Sequence, residues 1–172
     1  MTRERPITHA MKRRSAVPFL AAACAIACGA GPAPAVAARH HDRVERSVIR
    51  KINFIRSGYG LPHVRPLTAL RHAAEEHSRD MARANFFDHP SSDGTSFDAR
   101  IRRYSNASLL GETLAMTSRR NGGAGAIVQM WMNSPPHRAI MLDARFRKVG
   151  VGRRWGSLNG DGYAVVTADF AR

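Results

Sequence analysis

Cysteine is almost missing from this chain. Its 172 residues hold two, Cys24 and Cys28, both near the N-terminus. If that segment is removed, no disulfide, thiolate nucleophile or cysteine-ligated zinc can form, and stability must come from the core. Lysine is nearly as scarce: only Lys12, Lys51 and Lys148 stand among 27 basic residues, the rest being arginines. Acids number 13, for a formal charge of +14. No apolar run reaches the ~20 residues a membrane span requires. With 14 glycines and 9 prolines, the composition excludes a collagen-like or low-complexity chain, and the length favours one domain. An aromatic-interleaved basic patch is also lacking, so no nucleic acid is expected as a partner.

The first segment reads as a secretory signal. Lys12-Arg-Arg14 is a basic head, Ala16 to Ala27 an apolar run, and Pro32-Ala-Pro-Ala-Val-Ala-Ala38 supplies small residues at a peptidase's spacing. Residues 1–38 are expected to be removed, leaving residues 39–172 as a single exported domain, with Met1 or Met11 as the start. Cys28 after Ala25-Ile26-Ala27 is a poor lipobox, which makes a lipoprotein the minor option. The cut removes five basic residues and one acid and lowers the charge from +14 to +10. Such a surface suits anionic envelope polymers or lipid head groups, and equally a basic protein surface with no particular partner. A monomer is expected.

Along the exported part, Val44, Val48, Ile49, Ile52 and Ile55 recur at helical spacing, which predicts a helix at about 42–57, capped by Asp42 and stopped by Gly58. Two prolines interrupt residues 60–66. Thr68 is the expected cap of a second helix ending near Asn85, with Leu70, Ala74, His77, Met81 and Ala84 on one side. A polar loop, Asp88 to Ser96, leads to a short helical piece at about 97–104. Leu109 to Met116 is a compact apolar segment around one acid, Glu112. A glycine-rich joint at 121–125 precedes a third helix at about 126–133, terminated by Pro135-Pro136. Residues 148–155 and 163–170 read as two strands of a hairpin, with Val149, Val151 and Arg153 on one face. Helices followed by an antiparallel hairpin give an α+β chain.

Few side chains are candidates for chemistry. His89 stands just past a helix beside Phe86 and Phe87, two aromatics expected to bury. Glu112 sits among leucines, where an unpartnered carboxylate is costly, so a partner is expected. His137 follows Pro135-Pro136 at a rigid corner. Two histidines and a glutamate in turns suit zinc or a polar binding pocket. His72 and His77 are five apart, not the four that His-Glu-x-x-His requires; His77 is read as a packing residue and His72 as a surface one. Trp131 and Met130 are core candidates, and Arg102-Arg103, Arg119-Arg120 and Arg153-Arg154 are solvated faces. Ser134, His137 and Glu112 could mimic a serine triad, but no Gly-x-Ser-x-Gly elbow surrounds Ser134.

Phe87-Asp-His89, Gly111-Glu112-Thr-Leu-Ala115, Trp131-Met-Asn-Ser-Pro-Pro-His-Arg138, Phe146, Val149-Gly-Val-Gly152 and Thr167-Ala-Asp-Phe170 stand in the order and spacing of the CAP superfamily. That is the family of cysteine-rich secretory, antigen 5 and pathogenesis-related proteins, and this chain resembles its short, cysteine-free bacterial branch. The resemblance runs from about Val48 to Phe170 and implies an α/β/α sandwich, with a central antiparallel sheet flanked by helices and a cleft on one side. It implies a cleft made by His89, Glu112 and His137, with Ser134 where many eukaryotic members carry a second glutamate and Thr113 where asparagine is usual. In some members the cleft holds a divalent metal, zinc among them, for which His89, Glu112 and His137 would be the ligands. The functions implied are a binding module for a lipid, sterol or cell-envelope ligand, more in keeping with the missing second acid, or a zinc-assisted extracellular hydrolase in which the same three residues would be catalytic.

Overall fold

The computed structural model describes residues 35–118, 121–158 and 161–172. Both cysteines and most of the expected signal, with Arg119-Arg120, lie outside the described residues. Helix α1 (Ala35–Gly58) begins seven residues before Asp42, so Asp42 is not its cap. Its inward stripe follows the expected spacing, with Val48 and Ile52 fully buried and Val44, Ile49 and Ile55 packed against the same core. The helix also buries Arg56. Its guanidinium donates to the carbonyls of Pro62, Met141, Asp143 and Phe146 at 2.8 to 3.3 Å. Burial, and then Arg147, lowers its pKa, and the four acceptors compensate for the lost water.

Strand β1 (Arg65–Pro66) leads into α2 (Thr68–Ala84). The N-cap is Leu67, not Thr68, and no side chain bonds the first turn. Asn85 closes the helix with φ of 56°, a left-handed cap that asparagine tolerates. Leu70, Ala73, Ala74, His77, Ser78 and Met81 are its buried face, whereas Ala84 is exposed. Helix α3 (Phe97–Arg102) follows the polar loop, and β2 (Leu110–Ser118) is the strand that the apolar segment around Glu112 becomes. Helix α4 (Ala124–Asn133) buries Trp131, whose Nε1 donates to the Leu114 carbonyl at 2.9 Å. Met130 lies about 100° round the helix from it and is 42% exposed, so it is not a core residue. Pro135-Pro136 does end α4, but the same prolines open a further helix, α5 (Pro135–Leu142). Proline's fixed φ and missing N–H suit a helix start.

Strands β3 (Lys148–Leu158) and β4 (Asp161–Ala171) form the expected hairpin. The sheet order is β1-β3-β4-β2, antiparallel except that two-residue β1 pairs parallel with Lys148 and Val149. Alternation along β3 builds both layers of the α/β/α sandwich. Val149 and Val151 join the core under α1, α4 and α5. Gly150 and Gly152 face α2, where a Cβ would stand 2.0 Å from the Arg71 nitrogen and 2.3 Å from that of Glu75. The helix backbone thus rests directly on the strand, with Leu70, Ile101, Met81, Leu114 and Val165 in satellite cores on that side. Two further expectations change. Arg153 is buried, its guanidinium 4.5 Å from the Trp155 ring centroid, because its strand position faces the core with Val149 and Val151. Phe86 is half-buried and Phe87 is 42% exposed, since both follow the end of α2 and not its packed face.

Replacing Gly152 by alanine forces that backbone contact apart. Overpacking of this kind costs about 1–3 kcal/mol, and more where backbone must move. G152A is expected to fall at or beyond the top of that range in a urea melt. Alanine at open Gly125, where a Cβ would meet nothing within 4 Å, should leave the midpoint unchanged or higher.

Candidate functional site

Glu112 has the partners its burial demands. It stands on β2, the edge strand, on the face that looks toward α2 and α3, with its side chain 1% exposed. Oε2 accepts from the guanidinium of Arg100 on α3, and Oε1 accepts from His89 Nδ1 at 2.8 Å. Arg100 is itself fully buried. Its other arm donates to the His89 carbonyl at 3.2 Å and to Ser91 Oγ at 2.9 Å, so one guanidinium fixes both the carboxylate and the loop carrying the imidazole. His77 ties that loop to α2 through Nε2 and the Asp88 carbonyl, 2.9 Å apart; burial pushes its pKa down. Phe97 packs edge-on to the His89 ring.

Behind Glu112 lies Asp169, its register partner on β4. Asp169 is fully buried, and neither carboxyl oxygen accepts a hydrogen bond from a donor among the described residues. Burial, and then the Glu112 charge, raises its pKa well above the usual carboxylate range, which favours its neutral form. Sequence reasoning misses both Arg100 and Asp169. The only signal for Arg100 is the expected partner of Glu112, and many arginines could supply it; Asp169 stands inside a motif with nothing to mark it as buried charge.

His137 is the third residue of α5, in its first turn and not at an isolated corner. Its ring centroid is 6.1 Å from that of His89, which brings the two histidines and Glu112 to one place although they come from a loop, a helix and a strand. The two imidazoles are shifted in opposite directions. The hydrogen bond to Glu112 raises the His89 pKa, whereas burial, and then the neighbouring His89, lowers that of His137. Ser134 is the residue between α4 and α5. Its carbonyl accepts from the Arg138 N–H at 2.8 Å and its side chain makes no capping bond. Glu112 orients His89 and not His137, so Ser134, His137 and Glu112 are not wired as a triad. His72 is exposed and stacks on Tyr104.

A zinc held by His89, Glu112 and His137 does not fit this arrangement. Among the described residues, no group of three or more His, Cys, Asp or Glu side chains is placed to hold a metal ion. Both oxygens of the carboxylate are taken up, one by a cationic guanidinium.

The opposed shifts give a pH test. His89, favoured in its charged form when folded, contributes stability below its ordinary 6.5 that is lost as pH rises through its raised value. His137, favoured neutral, contributes stability above 6.5 that is lost as pH falls through its lowered value. NMR titration should place the His89 midpoint above and the His137 midpoint below that of a free imidazole, and Glu112→Gln should bring the His89 midpoint down. Coincident midpoints in the wild type would contradict the hydrogen bond.

Residues 49–170 match the Cysteine-rich secretory protein family, CAP. The uncharacterized protein YkwD of Bacillus subtilis is 31% identical over 109 residues, covering 63% of this chain and 41% of that protein. An extracellular protein containing a SCP domain, from Bacillus anthracis, superposes with a TM-score of 0.67 at 28% identity over 83% of this chain and 45% of its own. An outer surface protein of Borrelia burgdorferi shares the fold, with a TM-score of 0.63 at 20% identity over 76% of this chain and 92% of its own. This chain thus spans less than half the length of the two Bacillus proteins. With most of the chain matched by that family model, the chain belongs to the CAP family of cysteine-rich secretory proteins.

Proposed function

We propose that this chain is an exported CAP-family binding module, in which His89 and His137 face a lipid, sterol or cell-envelope ligand. The observation that carries this is the sequestration of Glu112. A hydrolase working through this cluster needs a carboxylate free to take a proton from water or to hold a metal. Here the acid is buried, bonded to Arg100 and turned toward Asp169, so it serves to hold the site together. What remains accessible is a pair of imidazoles, with His89 side-chain exposure at 44%, able to donate and accept hydrogen bonds to a polar head group.

Glu112→Gln separates the two uses. As a scaffold residue, its loss of charge leaves Arg100 buried without a counter-charge and should cost about 3–5 kcal/mol in a thermal melt while retention on envelope lipid extracts stays in place. His89→Ala, which removes one bond to the buried carboxylate, should reduce retention at a cost of about 1–3 kcal/mol, and His137→Ala should reduce retention with little change in melting. The competing zinc hydrolase predicts a zinc-dependent rise in melting temperature that the wild type shows and Glu112→Gln loses, with zinc-dependent ester hydrolysis.

Export is the second part of the reading. It is supported by the basic head and small-residue run of residues 1–38 and by the extracellular and outer surface descriptions of the relatives. Cleavage after Ala38 would fall within the first turn of α1 and ahead of residues 49–170, the part the family shares. Intact mass of the exported protein should show an N-terminus at Ala38 or Arg39 and no thiol; an acylated Cys28 would make it a lipoprotein instead.

A further inference from the structure

We propose that the outer face of α1 is a docking surface for an anionic phospholipid bilayer. At about 100° per residue, Arg43, Arg46, Arg50, Lys51 and Phe54 share one outward arc, together with Ser47, Ser57 and Gly58. All of these are exposed except half-buried Ser47. The one acid between Arg43 and Gly58, Glu45, points the other way and is 4% exposed. From Arg43 to Gly58 the arc itself therefore contains no acidic residue. Phe54 stands near its middle and is 72% exposed, the highest value among the exposed large hydrophobic side chains. Lys51 lies over its ring at 5.6 Å and Arg50 bonds Ser47 at 2.6 Å. Helix α4, packed beside α1, has no charged residue.

The combination selects the partner. Cations alone would suit any polyanion, but an aromatic ring held in water among them finds no reward on a hydrated polymer. At a bilayer surface the arginines and lysine meet lipid phosphates while the ring enters the acyl boundary. None of these residues belongs to the His89, Glu112 and His137 site, so either assignment can fail without the other.

The test is cosedimentation of the exported protein with vesicles of phosphatidylcholine alone and of phosphatidylcholine with phosphatidylglycerol at about two to one. Binding is expected to the second and not the first, and to weaken with salt. Each basic residue near such a surface contributes about fivefold, so R43Q/R50Q/K51Q should lower the partition coefficient about a hundredfold. R79Q/R83Q/R102Q removes the same charge from exposed positions on α2 and α3 and should change it by less than about threefold. Phe54→Trp should shift its fluorescence to the blue on phosphatidylglycerol vesicles. Equal losses in the two triple variants, equal binding to both vesicles, or capture by soluble polyphosphate with no blue shift would each overturn the proposal, the last in favour of a polymer.

Discussion

The pairing of Arg100 with Glu112 is the contact on which the site depends. Both groups have left water, and burying either alone would be prohibitive; removing one member of such a pair costs about 3–5 kcal/mol in general. The pair holds because the guanidinium is saturated on one side by the His89 carbonyl and Ser91, and the carboxylate is shared with His89. Its geometry reaches outward from there. Short helix α3 is held against β2, the loop after α2 is clamped by its backbone, and His89 is aimed at His137. Asp169 would add a second negative charge to this cluster, and its shift toward the neutral acid lets one arginine suffice.

The sheet separates two tasks. Along β3, glycines allow α2 to lie against the strand on one face, while valines on the other build the larger core beneath α1, α4 and α5. That asymmetry pins α2, and with it the loop of His89, at a depth a side chain on β3 would not permit. The opposite layer is anchored differently, by the Arg56 guanidinium gathering carbonyls from the loop after α1 and from the end of α5. His137 rides on α5, so the distance between the two imidazoles reflects one backbone contact and one buried arginine on opposite sides of the sheet.

What can be read in the sequence is whatever repeats locally. The stripes of α1 and α2 and the alternation of β3 and β4 are periodic signals with turns between them, and they are legible. β2 is not, because Leu110, Glu112 and Leu114 face one side and small residues the other, which blurs any alternation. Helix α5 is hidden because Pro135-Pro136 reads as an ending; only the chain that follows shows that the prolines also begin a helix. Within the site, Glu112 signals that it needs a partner, and the two histidines stand out as titratable groups beside turn and proline signals. Arg100 and Asp169 stay invisible because long-range pairing leaves no mark in local spacing, as does the burial of Arg56 and Arg153.

The folding of the acids also changes what the surface presents. Glu45, Glu112 and Asp169 are all buried, while most arginines are not. Glu45, raised to about 7 by burial and then by Glu75, is held in reserve beneath α1 and not displayed beside Arg43 and Arg46. Arg56, Arg100 and Arg153 are buried as well, so burial leaves the net charge of the exterior unchanged but redistributes it unevenly. On α1, between Arg43 and Gly58, Glu45 is turned inward and the outward arc carries no acid. At the β2 edge the inward acid is neutralised by Arg100 and leaves imidazoles facing out. One chain of strongly positive net charge thereby carries two chemically distinct faces, one cationic and aromatic, the other close to neutral and rich in hydrogen bonds. A uniform excess of arginine could not by itself create that contrast; the burial pattern does.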